Sequence, residues 1–279
     1  MTQVVVVMSG GGAKAAAHAG ALRALREAGI EPAALVATSM GAVVAAAVAA
    51  GVDPAAIPGR LSEAGPAGVR PHALTAVAGL YLEGILQPAP FRAAIRRVVP
   101  VERFADLAIP LTVTAVDVVS LELVLFGAGG EDGPLHDVLA ATCALPPYFA
   151  PVVVNGRRLA DGGLRGPLPL AAVAPGTMPV IAVDVGPGFD LGTEPRPERG
   201  PALVRQADTA IGILMAQTAL DQVALWRATA RPLLYVRPRV ERDATFRVDR
   251  VHAYAEEGYR AMRAALPALD SEGPATNFR

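Results

Sequence analysis

Residues 34–50 read ALVATSMG followed by the Ala/Val run AVVAAAVAA. The first apolar residues, at 34–37, predict a buried strand, and the run at 41–50 predicts a helix. Ser39 therefore falls on a tight strand-to-helix turn between small residues, which is typical of a nucleophile elbow. Such a turn exposes the serine hydroxyl, and the N–H groups of the helix face the negative charge that forms when the serine attacks a carbonyl. Ala37 replaces the first glycine of the pattern G-x-S-x-G.

A second strand-to-helix junction lies near the N-terminus. Residues 3–8 predict a β-branched strand, residues 14–28 predict a helix, and Ser9-Gly10-Gly11-Gly12-Ala13-Lys14 joins them. Consecutive glycines let N–H donors approach a bound group, so the loop suits a phosphate cradle or an oxyanion hole that serves Ser39. The spacings of the dinucleotide fingerprint and of the P-loop are both absent, which favours the oxyanion hole. A plain tight turn is the alternative without a function.

Three aspartates end apolar, strand-like runs: Asp117, Asp161 and Asp184. Asp161 follows a hairpin predicted from strands at 151–154 and 157–160, which an Asn-Gly turn joins. An aspartate has a reference pKa of about 3.9, so it can take the serine proton only in hydrogen-bond contact, and burial would help by raising that pKa. Spacing alone does not choose among the three, and each is also suited to capping a turn or helix.

Taken together and in this order, the motifs resemble those of the patatin-like phospholipases, a family of Ser-Asp lipid acyl hydrolases. The resemblance covers roughly residues 3–185. It rests on Gly10 to Lys14 with His18, Gly20 and Leu22, on Thr38-Ser39-Met40-Gly41-Ala42, on Asp161-Gly162-Gly163, and on shorter stretches at 104–107, 109–111, 141–146 and 167–169. Ala37 and Ala15 stand where the family usually has glycine.

The resemblance implies a three-layer α/β/α fold and a set of site residues. Ser39 would be the nucleophile, Asp161 the general base, and the N–H groups of Gly10, Gly11, Gly12 and Ala13 the oxyanion hole. The residues that would support the elbow and the loop are Lys14, His18, Met40, Gly41, Gly162 and Gly163. The implied reaction cleaves a lipid or acyl ester through an acyl-serine intermediate and needs no metal or cofactor.

Two other functions stay open. A Ser-His-Asp esterase would need a histidine downstream of the elbow, and His252, in a C-terminal helical pattern, is the candidate beside His72 and His136. The departures at Ala37 and Ala15 would instead suit a non-catalytic lipid-binding or scaffold protein on the same fold. No histidine pair has metal-ligand spacing with a carboxylate, so no metal site is expected.

The alternation of strand and helix patterns predicts a mainly parallel, doubly wound sheet, in one domain covering residues 1–279. Further strands are predicted near 111–117, 122–126, 179–185 and 233–237, and further helices near 92–98, 134–141, 201–230 and 249–265. The motif-bearing core covers about 3–185 and the C-terminal helices about 201–265. The Pro/Gly-rich residues 186–200 predict an exposed loop, and the tail after Pro267 is expected to be loose.

Two apolar stripes each admit two interpretations. The first, within 71–90, suits a lid or acyl-binding wall over the serine, or an ordinary packed helix. The second, within 201–230, suits a wall of an acyl pocket or a self-association surface. Their residues are Leu74, Val77, Leu80, Tyr81 and Ile85 in the first, and Ile211, Leu214, Met215, Leu220 and Trp226 in the second.

Composition excludes several functional classes. The formal net charge is −1 and no arginine/aromatic stripe appears, which argues against a nucleic-acid partner. The single cysteine, Cys143, excludes an intramolecular disulfide and is compatible with a reducing compartment. The N-terminus lacks a signal-peptide pattern, so the expected location is the cytoplasm, with peripheral contact at the inner membrane face allowed. The uncharged span 32–52 has the length of a membrane helix, but a strand followed by a helix explains it better.

Overall fold

The structure, a computed structural model, describes residues 2–68, 84, 86–187, 202–229, 231–241 and 246–270. Within these ranges, eight strands form one sheet in the order β5-β6-β3-β2-β1-β7-β8, with β4 also paired to β3. The strands are β1 Thr2–Met8, β2 Ile30–Thr38, β3 Leu111–Asp117, β4 Leu123–Gly127, β5 Val152–Val154, β6 Arg157–Asp161, β7 Val180–Val183 and β8 Leu233–Val236. Each of the eight predicted strands is present.

The sheet is mainly parallel, as predicted. Strands β3, β2, β1, β7 and β8 run parallel, whereas β4, β5 and β6 pair antiparallel. Strand β2 begins four residues before the predicted range. The sequence pattern does not reveal this start, because residues 30–34 are only partly buried and include Glu31 and Pro32. That half of the strand therefore lacks the apolar run by which a buried strand is recognised.

The helices of the described ranges are α1 Ala16–Glu27, α2 Ser39–Ala49, α3 Ile57–Gly68, α4 Pro88–Val98, α5 Leu135–Thr142, α6 Ala202–Arg227, α7 Val251–Ala265 and α8 Pro267–Asp270. A 3₁₀ turn, Gly12–Ala15, precedes α1, and α2 begins two residues earlier than predicted. Helix α3 was not predicted, because two prolines and three glycines in its twelve residues give it a poor helix propensity. The chain predicted to be loose after Pro267 continues as α8.

Alternate side chains of the central strands pack into two apolar cores, one on each face of the sheet. Val4, Val6 and Met8 belong to the larger core, to which α1, α2, α5 and α7 contribute. Val5 and Val7 belong to the smaller one, which includes Trp226 of α6. The predicted three-layer α/β/α fold follows from this arrangement.

The register of β3 brings two strand ends together. Strand β2 pairs with β3 as far as Thr38 opposite Thr114, and β6, running the other way, ends with Asp161 opposite Ala115. Strand β4 occupies the other edge of β3, so β2 and β6 share one edge and meet end to end. The residue that follows Thr38 therefore lies beside Asp161.

Most of the stripe predicted at 71–90, together with His72 and residues 188–200 of the predicted loop, lies outside the described residues. Among the described helices, none combines the length and the apolar character needed to cross a bilayer. The apolar span at 32–52 consists of residues 32–38 of β2, helix α2 and the turn after it.

Candidate active site

Ser39 is the first residue of α2 and has a φ of 54°, in the left-handed region that non-glycine residues rarely adopt. Its backbone is held in place by a threonine pair. The Ser39 N–H donates to Thr142 Oγ1 over 2.8 Å, and the Thr142 hydroxyl donates to the Thr114 carbonyl over 2.6 Å. These bonds fix the strained turn that the sequence predicts for an elbow.

Close backbone packing places the elbow next to the glycine loop. A Cβ on Gly41 would collide with the Ser9 carbonyl oxygen and lie 3.0 Å from that of Met8, so only glycine lets α2 approach the end of β1. Ala37 is fully buried in the larger core, where its methyl group is accommodated without loss of the elbow conformation at Ser39. The same core accommodates Ala15.

Asp161 is in direct contact with the elbow serine. The Ser39 hydroxyl donates to Asp161 Oδ2 over 2.7 Å, and the Gly163 N–H donates to Oδ1 over 2.7 Å. The exposed fractions are 9% for Ser39 and 2% for Asp161. Burial raises the pKa of Asp161 to about 7, although its two hydrogen bonds act in the opposite direction. A carboxylate with that pKa is much better matched to taking a hydroxyl proton near neutral pH.

The other two candidate carboxylates are used elsewhere. Asp117 Oδ1 accepts from the Val119 N–H over 2.9 Å and so caps a turn, a structural role that its sequence position also allows. Asp184 accepts from the Tyr235 hydroxyl and the Gly186 N–H, over 2.8 and 2.9 Å, and forms an ion pair with Arg237. Of the three, only Asp161 is hydrogen-bonded to Ser39.

The glycine loop lies against Ser39, and a Cβ on Gly10 would be 3.0 Å from the Ser39 Cβ. The Gly10 N–H already donates to the Pro167 carbonyl over 3.0 Å. Gly12 has a φ of 59° and opens the 3₁₀ turn, whose first N–H groups point out of the turn. Gly11 and Ala13 line the same cavity as Ser39.

His18 stabilises this loop through a hydrogen bond to its first residue, Ser9. The His18 ring is fully buried, and burial lowers its pKa to about 4, so the neutral ring donates through Nε2 to the Ser9 carbonyl over 2.9 Å. Ser9 Oγ in turn accepts from the Val185 N–H over 2.8 Å and donates to the Gly10 carbonyl over 3.0 Å. The predicted role of His18 in orienting the loop agrees with these contacts.

Neither of the two other described histidines lines the cavity beside Ser39. His252 is exposed on α7 and is not among the described residues lining the cavity. His136 is buried, and its Nε2 is 3.0 Å from the Val99 carbonyl. In the described part of the chain, no group of three or more His, Cys, Asp or Glu side chains is arranged to hold a metal ion.

A cavity of about 260 Å³ opens beside the serine. Its polar lining consists of Ser39, Asp161, Cys143, Tyr148, Lys14 and Asp208, together with the glycine loop. Most of the other lining side chains are apolar and come from α2, α3, α4, α6, α7 and the segments between them. Ile211 and Met215 of the second stripe line the cavity as well, whereas Leu214 and Leu220 of that stripe are exposed. Burial and the nearby Asp161 raise the pKa of the Cys143 thiol well above its usual range, so Cys143 stays neutral.

Some of these residues were missed by sequence reasoning. The hydroxyl of Thr142 and the lining side chains of α3 carry no motif of their own. The one available signal for Thr142 was its place in the stretch 141–146, which the family resemblance already included.

Comparisons with known proteins relate the chain to one family. A sequence model of the patatin-like phospholipases matches residues 6–174. An "uncharacterized NTE family protein" of Mycobacterium tuberculosis is 32% identical over 230 residues, which are 79% of this chain and 61% of that protein. The human "patatin-like phospholipase domain-containing protein 6" is 28% identical over 192 residues, or 66% of this chain and 13% of that protein. The crystal structure of VipD from Legionella pneumophila aligns with a TM-score of 0.47 at 15% identity, covering 96% of this chain and 67% of that one. The chain thus spans about three fifths of its mycobacterial relative.

Proposed function

Because the chain belongs to the patatin-like phospholipase family, we propose that it is a lipid acyl hydrolase with Ser39 as nucleophile and Asp161 as general base. The observation that carries the proposal is the 2.7 Å hydrogen bond from the Ser39 hydroxyl to a buried carboxylate at the wall of a largely apolar cavity. A general base must contact the proton that it removes, and among the candidate carboxylates Asp161 meets that condition.

In the first half of the reaction, Ser39 Oγ attacks the ester carbonyl while Asp161 takes the hydroxyl proton. The resulting tetrahedral oxyanion then collapses, the bond between the carbonyl carbon and the alcohol oxygen breaks, and the alcohol leaves with the proton that Asp161 held. In the second half, a water molecule gives a proton to Asp161 and attacks the acyl-serine. The fatty acid is released and Ser39 Oγ recovers its proton.

The oxyanion forms next to the glycine loop. The Gly10 N–H already donates to the Pro167 carbonyl, so we assign the oxyanion contacts to the N–H groups of Gly11, Gly12 and Ala13. Gly10 instead lets the loop lie close to Ser39, because it has no side chain. Donors fixed in this way are effective because they need no rearrangement when charge develops. The bonds of His18 and Ser9 hold the loop in that position.

A serine-directed fluorophosphonate probe and a short p-nitrophenyl ester test this function. We expect the probe to label Ser39 in the folded protein and Ser39→Ala to abolish both labelling and hydrolysis. Asp161→Asn should lower kcat/KM by about 10² to 10⁴-fold, the usual worth of a general base, while the exposed His252→Ala should leave it within about twofold.

Other outcomes identify the alternatives. Full activity in Asp161→Asn would refute the assigned base, and loss of activity in His252→Ala alone would favour a Ser-His-Asp esterase. A folded protein whose Ser39 resists the probe would favour a non-catalytic lipid-binding or scaffold role. Location in the cytoplasm and peripheral contact with a membrane remain predictions.

A further inference from the structure

We propose that the buried end of the cavity selects the substrate by the length of its acyl chain, and that Ala64 on α3 sets the limit. The inference rests on the proposed function, since it assigns the acyl half of the ester to this end. It adds a residue that decides specificity and lies away from the reacting atoms.

The burial of the lining side chains shows which end of the cavity is closed. Six apolar lining residues on α2, α3, α4 and α7 are at most 7% exposed: Val43, Leu61, Ala64, Ile95, Val98 and Val251. The opposite end is lined by side chains that solvent reaches, such as Tyr148, Ile211 and Phe246, the last 38% exposed. The cavity therefore has a mouth beside α6 and a closed apolar end between α2, α3, α4 and α7.

The position of Ser39 directs an acyl chain toward the closed end. Val43 lies one helical turn after Ser39 on α2, so the two residues share a face of that helix. An acyl group bonded to Ser39 Oγ can pass Val43 and reach the apolar side chains of α3 and α4. The alcohol half of the ester then faces the mouth, where Tyr148 donates to Asp208 over 3.1 Å.

The size of the cavity limits what it can hold. Its volume of about 260 Å³ is just below the ~300–1,000 Å³ of sites for drug-sized ligands, so it suits one acyl chain. Each methylene that fits into an apolar site should raise kcat/KM by about fourfold. A chain that is longer than the closed end should lose this gain, because close-packed walls resist displacement.

Ala64 is the smallest of the side chains at the closed end, and α3 has little room to retreat there. Leu61, Ala64 and Gly65 lie at helical spacing on the face that lines the cavity. A Cβ on Gly65 would already lie 2.6 Å from Val248 Cγ1, so α3 is packed tightly against that residue. A larger side chain at position 64 will therefore project into the cavity.

The test measures kcat/KM for p-nitrophenyl esters from acetate to palmitate. Ala64→Leu should lower the long-chain to short-chain ratio by about tenfold or more and move the optimum to shorter chains, whereas Val98→Ala should move it to longer ones. Because each ratio is taken within one preparation, it does not depend on the fraction that folds. Ala219→Leu is the matched control, since Ala219 is also buried, in the other core, and does not line the cavity.

A binding measurement separates failure of this inference from failure of the proposed function. Calorimetric titration of Ser39→Ala and Ser39→Ala/Ala64→Leu with saturated fatty acids of 6 to 16 carbons needs no catalysis. The second variant should show the same shift toward shorter chains. A length profile that is identical with and without Leu at position 64, in either experiment, would overturn the assignment. Absence of ester hydrolysis with an intact shift in binding would count against the proposed function alone.

Discussion

Asp161 and Asp184 lie at the ends of two strands of one sheet, and their exposed fractions are 2% and 1%. Their partners differ. The hydrogen bonds described for Asp161 come from the Ser39 hydroxyl and a backbone N–H, which are both neutral. Asp184 instead faces the guanidinium of Arg237, besides a tyrosine hydroxyl and a backbone N–H. The same side chain, buried to a similar extent, thus lies in two different electrostatic environments.

The difference supports the catalytic role proposed for Asp161 and a structural role for Asp184. Burial is the largest influence on Asp161 and raises its pKa to about 7, near neutrality, where a carboxylate can accept and return a proton. The opposite charge of Arg237 compensates the burial of Asp184, and their bonds join β7, β8 and the Gly186 segment. Val185 lies between Asp184 and Gly186 in the chain. It packs close to Gly11 and its N–H donates to Ser9 Oγ, so the ion pair stabilises the segment against which the glycine loop packs.

The largest effect is expected when the ion pair is broken from one side. Arg237→Met leaves the Asp184 carboxylate buried without its counter-charge, which should lower the free energy of unfolding by about 3–5 kcal/mol. Urea denaturation measures the loss. Arg239→Met, two residues along the chain and exposed, is the matched control and should change stability by less than about 0.5 kcal/mol.

A second variant checks the cause of that loss. Adding Asp184→Asn to Arg237→Met removes the isolated charge and should restore part of the lost stability. If the double variant is less stable than Arg237→Met alone, charge burial is not the cause, and the two buried carboxylates differ less than their partners indicate.

How far the sequence predicts this site depends on how local each feature is. The elbow at Ser39 and the glycine loop are contiguous, so residue types and order are enough to recognise them. The choice of Asp161 over Asp117 and Asp184 was not possible from spacing, because it is decided by the meeting of β2 and β6 end to end on β3. The family resemblance supplied that choice instead.

Features assembled from distant segments escaped sequence reasoning. The closed end of the cavity draws side chains from four helices, and one of these, α3, has too many prolines and glycines to be recognised. Arg237 follows the apolar residues of β8, and nothing in the sequence distinguishes it from an exposed basic residue. Its pairing with Asp184 arises because β8 lies parallel beside β7.

The next largest effect is the change in the free energy of unfolding when Asp161 or Asp184 is replaced by Asn. Because the pKa of Asp161 is raised in the folded protein, its ionisation costs stability, and this cost grows as the pH rises from about 4 to about 7. Asp161→Asn removes the cost and should stabilise the fold by up to about 4 kcal/mol at pH 8, since each of the roughly three pKa units between the usual and the raised pKa is worth about 1.4 kcal/mol, and the gain should vanish near pH 4.

Asp184→Asn supplies the contrast to that gain. It removes the buried carboxylate that forms the ion pair with Arg237 and should destabilise the protein at pH 8, so the two substitutions should act with opposite signs. Urea denaturation at pH 4 and pH 8 measures both. A loss of stability in Asp161→Asn at pH 8 would mean that the hydrogen bonds from Ser39 and Gly163 outweigh the burial of the charge.

The smallest effect is the pH dependence of the wild-type rate. Only the ionised form of Asp161 can take the Ser39 proton, so kcat/KM should rise with pH through the pKa of about 7 and level off above it. Between pH 6 and pH 8 the increase should be about tenfold, whereas an ordinary aspartate would already give a flat profile there. Initial rates on a short p-nitrophenyl ester, whose ester bond does not titrate in this range, measure the profile. A flat profile from pH 5 to pH 8 would contradict the raised pKa of Asp161, because its proton uptake would then be absent from the rate.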